Sequence, residues 1–261
     1  MNYEHIIVSS TEHVTTICLN RPQSMNAINA AMHEELQLAL DTFAADDDQF
    51  IGVITGAGQR AFCAGSDLKA IAEGGKHADY PKNGYAGLIE RFDLNKPLIA
   101  AVNGVCLGGG FEIALACDLI IASEQASFGL PEPRVGAVAL GGGLHRLARQ
   151  IGLKRAMGYV LSSSRMSASE GMALGLVNEV VAADELPNAT NRWCEEILKG
   201  APMAIRASKE AIMRGLDEPS LADAIRSQER YPAFQQWRRA EDTVEGPRAF
   251  AQKRPPQWQG R

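Results

Sequence analysis

The chain has 261 residues, of which 46% are hydrophobic and 22% charged, with a formal net charge of −5. That length buries a substantial core without disulfides or a structural metal, and the balance excludes extensive disorder. The acidic charge excludes nucleic-acid binding through a broad basic surface. Glycine is in mild excess, 25 residues against roughly 18 at average usage.

In chain order, the N-terminal MNYEHIIVSS lacks a basic region followed by an apolar run, so no secretory signal is expected. Ile6–Ser10 and Thr15–Leu19 read as strands flanking a polar Glu12-His13 turn. Ala30–Ala45 carries Met32, Leu36, Leu40 and Phe43 at helical spacing behind an Asn29 cap. Asp46-Asp47-Asp48 reads as the solvated turn after it. Ile51–Thr55 is a short buried strand ending at Gly56-Ala57-Gly58. Leu98–Val102 is another strand, Gly110–Cys117 a short helix and Leu119–Ser123 a strand. Leu144–Ile151 and Ala168–Leu174 read as helices, with Val177–Val181 a strand after them. From about Glu185 the pattern is helical, punctuated by Pro202, Pro219 and Pro232. The first two-thirds is therefore α/β and the last third helical, with an irregular tail from Arg254.

The longest apolar stretch, Pro97 to Ala122, contains Glu112, Asp118 and a triple glycine, which mark a core segment and not a membrane span. Cys18, Cys63, Cys106, Cys117 and Cys194 are dispersed, with no CxxC pair. Buried thiols in a reducing cytoplasmic setting are expected, with no disulfide framework and no metal site.

Three segments could carry chemistry. In Asn103-Gly104-Val105-Cys106-Leu107-Gly108-Gly109-Gly110-Phe111-Glu112 a buried strand runs into a glycine-rich turn that opens a helix. Such a turn lets backbone approach a ligand and presents N–H groups to an anion or a developing oxyanion. Neither a P-loop nor a dinucleotide-binding glycine pattern is present. Phe128-Gly129-Leu130-Pro131-Glu132-Pro133 places a second carboxylate on a stiff, extended, proline-bounded loop. Two carboxylates at a set distance suit water activation and proton transfer. Ala61-Phe62-Cys63-Ala64-Gly65-Ser66-Asp67-Leu68-Lys69 again allows close backbone approach at Gly65, and Asp67 could cap a helix starting near Leu68. His145, beside Arg146 and Arg149, reads as part of a solvated or phosphate-facing helix.

These segments, preceded by Leu19-Asn20-Arg21-Pro22 and Met25-Asn26-Ala27, resemble the crotonase (enoyl-CoA hydratase/isomerase) superfamily. The likeness is collinear from about Ile6 to the C-terminus. AFCAGSDLK and AAVNGVCLGGGFEIALACD, in that order and separation, are together highly specific. The resemblance implies an α/β fold: a crotonase-like ββα superhelix over residues 1–190 holding an acyl-CoA site, then a helical trimerisation region over 191–261. It implies that the Ser66 and Gly109 amides form an oxyanion hole for a thioester, and that Glu112 and Glu132 are the two hydratase carboxylates. Ala64, at the adenine position, together with Asp67, Leu68, Lys69 and Leu140, would line the substrate site. Lys253 would reach coenzyme A phosphate. No metal or separate cofactor is implied, coenzyme A being part of the substrate.

One departure stands out: where many hydratases have Pro and a small residue, this chain has Ala139 and Leu140, which bears on the acyl pocket and water placement. Within the superfamily, Gly84-Tyr85-Ala86-Gly87-Leu88 and Glu241-Asp242-Thr243-Val244-Glu245-Gly246-Pro247 look most like the carnitinyl-CoA dehydratases. Tyr80 and Tyr85 are then candidates to face a quaternary ammonium. The expected activity is reversible hydration of an α,β-unsaturated acyl-CoA by a homotrimer or dimer of trimers, with no nucleic-acid or membrane partner. The alternatives are double-bond isomerisation and, in another class, a non-catalytic RNA-binding homologue. Segment 71–88 is expected to shape the acyl pocket.

Overall fold

The computed structural model describes residues 3–74 and 80–261, so part of the 71–88 segment and the first two residues lie outside it. The chain opens with a hairpin, β1 (Ile6–Thr11) and β2 (Val14–Leu19), paired from Ile6 opposite Leu19 to Thr11 opposite Val14. Glu12 and His13 both take left-handed backbone, φ 46° and 70°, as a two-residue hairpin loop requires. Helix α1 (Ala30–Ala45) follows, and Asn29 caps it by accepting the Met32 N–H at 2.9 Å. Its apolar positions Met32, Leu36, Leu40 and Phe43 are all buried, each worth about 1.5–3 kcal/mol of transfer free energy.

A repeating unit then builds the core. A strand in a first sheet turns a corner into a short strand of a second sheet, and a helix returns. The units are β3 (Ile51–Gly56), β4 (Ala61–Cys63) and α2 (Leu68–Gly74); then β5 (Leu98–Val102), β6 (Val105–Leu107) and α3 (Gly109–Ala116). β7 (Leu119–Ser123) and β8 (Ser127–Gly129) lead through a 3-10 turn at Glu132–Val135 to α4 (Gly143–Ile151) and α5 (Leu153–Ser162). β9 (Met166–Ser167), α6 (Ala168–Ala173) and β10 (Glu179–Val181) close the α/β part.

The first sheet runs β1-β2-β3-β5-β7-β10, parallel from β2 onward, and the second runs β4-β6-β8-β9. Every residue of β5 is buried, as befits a central parallel strand covered on both faces. This is the expected α/β ββα superhelix. One apolar cluster fills the space between the sheets, α1 and α3. A second lies on the outer face of the first sheet under α7 (Leu186–Leu198).

The last third is helical: α8 (Pro202–Gly215), α9 (Leu221–Ser227), α10 (Pro232–Trp237) and α11 (Asp242–Ala251). The irregular tail docks. Gln259 and Gly260 donate backbone N–H groups to the buried Asp242 carboxylate at 2.8 and 3.0 Å, and Trp258 Nε1 donates to the Lys199 carbonyl at 2.9 Å. All five cysteines are free thiols, four buried and Cys18 partly so. Among the described residues no helix is long and apolar enough to cross a membrane.

Candidate active site

The two carboxylates come from successive crossovers and converge on glycine backbone. Glu112 lies in the first turn of α3, its N–H donating to the Gly108 carbonyl at 3.0 Å. The side chain is 3% exposed, and its Oε1 accepts the Gly143 N–H at 2.9 Å. Gly141 and Gly143 form the wall it packs against. A Cβ on Gly143 would stand 2.9 Å from Oε1, and one on Gly141 would overlap Oε2. Glycine at both positions is therefore a condition for this placement. Burial pushes the Glu112 carboxyl up to about 7, against the Gly143 amide and with the Glu132 charge adding to the rise.

Glu132 opens the 3-10 turn after β8. The proline-bounded stretch is not the extended loop its sequence suggests, because backbone hydrogen bonds close it, among them Arg134 N–H to Pro131, Gly136 N–H to Pro133 and Ala137 N–H to Glu132. Both prolines tolerate that fold, since their fixed φ suits a tight helical turn as well as extended chain. Oε1 of Glu132 lies 3.0 Å from the place where a Gly108 Cβ would be, and Oε2 is buried with no hydrogen-bond partner among the described residues. Burial raises this carboxyl too.

Two backbone amides lie in the turns on either side of Gly108, the residue that Glu132 approaches. Ile28 and Ser66 form a parallel bridge in which the Ile28 N–H donates to the Gly65 carbonyl at 2.8 Å and the Asp67 N–H donates to Ile28 at 3.0 Å. That bridge uses the neighbours of Ser66 and turns its own N–H to the opposite side. Gly109 is the first residue of α3, so its N–H lies outside the helical ladder, at the positive end of the dipole. The segments touch at Gly65, φ 92°, where a Cβ would sit 3.2 Å from the Gly109 nitrogen. Two adjacent N–H groups with no backbone acceptor among the described residues result.

The other residues singled out in the sequence fall around this centre in different ways. Asp67 pairs with Arg21 at 2.9 Å, both side chains 14% exposed, which ties the 21–28 loop to the Ser66 strand. Ala64 donates its N–H to the Met25 carbonyl, while Leu68 and Lys69 are exposed. Leu140 is 75% exposed; the backbone one residue further on, at Gly141, meets Glu112. Lys253 is exposed on left-handed backbone after α11, and no hydrogen bond or ion pair among the described residues links it to the carboxylates.

Arg146 differs from the solvated helix face expected for α4. His145 and Arg149 are exposed, but Arg146 turns inward, donates Nη2 to the Ile89 carbonyl at 2.6 Å and helps hold the Glu112 proton affinity down. Tyr85, a candidate from the sequence to face a quaternary ammonium, is instead 2% exposed against Ser66, and His33 and Gln37 are further buried polar groups near it that the sequence did not single out. The signal available was a histidine and a glutamine, four residues apart, on the core face of α1.

The model of the enoyl-CoA hydratase/isomerase family matches residues 9–261. The chain belongs to that family. Among its members, the carnitinyl-CoA dehydratase of Proteus mirabilis (strain HI4320) is 42% identical over 97% of this chain and 100% of the relative. That of Salmonella arizonae is also 42% identical, covering 95% of each. Of solved structures, an enoyl-CoA hydratase from Mycobacterium marinum superposes with a TM-score of 0.91 at 38% identity, covering 98% of this chain and 99% of that one. An enoyl-CoA hydratase from Bacillus anthracis does so at 0.89 and 36%, covering 99% and 100%. These likenesses span both the ββα superhelix and the helical last third, so family membership applies to the whole chain.

Proposed function

We propose that this protein is an acyl-CoA hydratase/dehydratase in which Glu112 and Glu132 move the protons and the Ser66 and Gly109 amides bind the thioester oxygen. The observation that carries the reading is the buried Glu112 carboxyl beside Glu132, whose own Oε2 has no partner among the described residues. An unsatisfied buried carboxylate oxygen next to a protonatable neighbour suits a bound water. In hydration, one carboxylate takes a proton from water as its oxygen attacks Cβ. The Cβ=Cα electron pair moves to place negative charge on the thioester oxygen, where two preorganised N–H donors meet it. The enolate then collapses as Cα takes a proton from the other carboxyl. Dehydration is the reverse.

The identity of the relatives and the position of Tyr80 point to an acyl group with a cationic β-substituent. Tyr80 is 43% exposed, packs edge-on to Tyr85 with centroids 5.5 Å apart, and its phenol is raised by burial and then by the Glu112 charge. An aromatic face beside a carboxylate suits a quaternary ammonium. Ala64, Leu68, Lys69 and Leu140 would line the coenzyme A and acyl path, with Lys253 serving a phosphate.

A steady-state screen across enoyl-CoA esters, crotonobetainyl-CoA included, tests the assignment. Hydration of at least one ester is the expected result, and crotonobetainyl-CoA should give the highest kcat/KM. No hydration of any ester rejects the reading. The profile of kcat/KM against pH carries a second expectation. The pair works with one proton shared between two carboxyls, and that state is lost as the second proton leaves, so the alkaline limb should fall through about 7.

The division into a core over 1–190 and an associating region over 191–261 is proposed on the exposed apolar residues of α8, its C-cap and α9. Ile212, Met213, Leu216, Leu221 and Ile225 are each more than half exposed. A cluster of that kind marks an association surface. Sedimentation should give a trimer or dimer of trimers, and a stable monomer would contradict it.

A further inference from the structure

Tyr85 is aimed at the amide pair by a turn that the chain would not adopt unaided. Gly84, Ala86 and Gly87 all have left-handed backbone, φ 74°, 57° and 62°. Ala86 is the informative one, because its Cβ makes that conformation unfavourable, and such strain persists only where the surroundings impose it. Two buried polar side chains of α1 impose it here. The Ala86 N–H donates to His33 Nδ1 at 2.9 Å. Gln37 accepts the Asn83 N–H on Oε1 at 3.0 Å and donates Nε2 to Asn83 Oδ1 at 2.9 Å. Gly87 lies so close to the helix that a Cβ would stand 2.5 Å from Gln37 Cα. The His33 ring also meets Tyr85 edge-on, centroids 4.6 Å apart. Burial pushes His33 down to about 4, so at neutral pH it remains the acceptor the clamp needs.

The product of this clamp is a phenol that is 2% exposed and whose hydroxyl has both residues of the amide pair among its neighbours. One is Ser66 Oγ at 3.3 Å. The other is Gly109, packed so tightly that any Cβ there would overlap the hydroxyl. A single oxygen atom thus touches both residues of the proposed amide pair, and those residues come from different crossovers.

We propose that Tyr85 is a positioning residue for thioester activation, its hydroxyl setting the spacing and direction of the Ser66 and Gly109 amides and the His33–Ala86 clamp setting Tyr85. The inference rests on the acyl-CoA reading above. Two N–H groups stabilise a developing oxyanion only when both lie about 2.7–3.1 Å from it. Amides from separate segments need something rigid between them to stay so matched. Tyr85 supplies that spacer without being consumed in any proton transfer.

Tyr85→Phe keeps the ring and removes the hydroxyl. Its kcat on the best ester from the screen should fall about tenfold, as expected when one donor is partly misaligned, while KM stays within twofold. A second readout is the absorption of bound dimethylaminocinnamoyl-CoA, whose red shift tracks polarisation of the thioester carbonyl. That shift should shrink in Tyr85→Phe at saturating ligand. Loss of thermal stability alone would leave the shift of the folded, bound protein intact. Ser66→Ala, which keeps the amide and removes the other end of the 3.3 Å contact, should reproduce both changes, and the double variant should lose little more than either single one.

Wild-type protein that neither hydrates nor shifts the chromophore rejects the acyl-CoA reading, and this inference with it. Wild-type protein that does both, with Tyr85→Phe or Ser66→Ala equal to it in kcat and in shift, overturns the role of Tyr85 alone. If Tyr85→Phe does not fold, Ser66→Ala decides.

Discussion

Replacing Glu112 by glutamine will lower kcat for hydration by about 10³-fold, within the range a positioned general acid or base contributes, and leave coenzyme A ester binding in place. Glu132→Gln will do the same. Each glutamine keeps the length and hydrogen-bonding shape of the side chain, and the Gly143 N–H still finds an oxygen at position 112. What disappears is the transferable proton. Rapid-quench or absorbance assays on the best ester, with binding measured separately, check this. Activity in either variant within tenfold of wild type would remove that residue from the proton path.

The same substitution has an opposite effect on stability, and its pH dependence follows from the raised Glu112 carboxyl. The folded value near 7 lies above the ordinary 4.5. Between those values the native chain holds a proton that the unfolded chain has released, so wild-type stability declines as pH rises through that window. Glutamine has no proton to lose. Glu112→Gln should therefore match wild type near pH 4 and be more stable by on the order of 2 kcal/mol at pH 8, as read by denaturant midpoints. A residue that lowers both the rate and the stability penalty when neutralised is strained for function and not placed for folding.

Much of this architecture was legible from local pattern. The Glu12-His13 hairpin, the Asn29 cap and the buried stripe of α1 are short-range features, encoded by neighbours in sequence. The glycine-rich turn before Glu112 and the glycine before Ser66 also carry their geometry locally. What escaped depends on contacts distant in sequence. Strands β4, β6 and β8 are three residues each, too short for any alternation to register. Arg146 reads as one of several surface cations, and only the approach of the 89 carbonyl and Glu112 brings it inward. The Glu132 turn closes through Gly136 and Ala137, beyond the prolines that dominate its local reading. His33 and Gln37 were not singled out, because the turn they hold lies some fifty residues on.

A methyl group at Gly141 should be nearly as damaging as loss of a carboxylate, without removing any functional group. The added Cβ overlaps Glu112 Oε2, and the opposite side of that carboxylate is already held by the Gly143 N–H. The Glu112 side chain is 3% exposed, and relieving the overlap shifts its carboxylate or breaks the Gly143 bond. A displacement of about 1 Å at a reacting group costs on the order of 10²-fold in rate. Gly141→Ala should therefore lose about 10²-fold in kcat with KM little changed, and the alkaline limb near 7 should shift as the carboxyl loses its amide donors. Gly158→Ala supplies the contrast: Gly158 lies exposed in α5 with no described residue within 4 Å of its added Cβ. That variant should keep wild-type activity and gain up to about 1 kcal/mol from helix propensity. Equal activity in both alanine variants would mean that the wall formed by Gly141 does not set the position of Glu112.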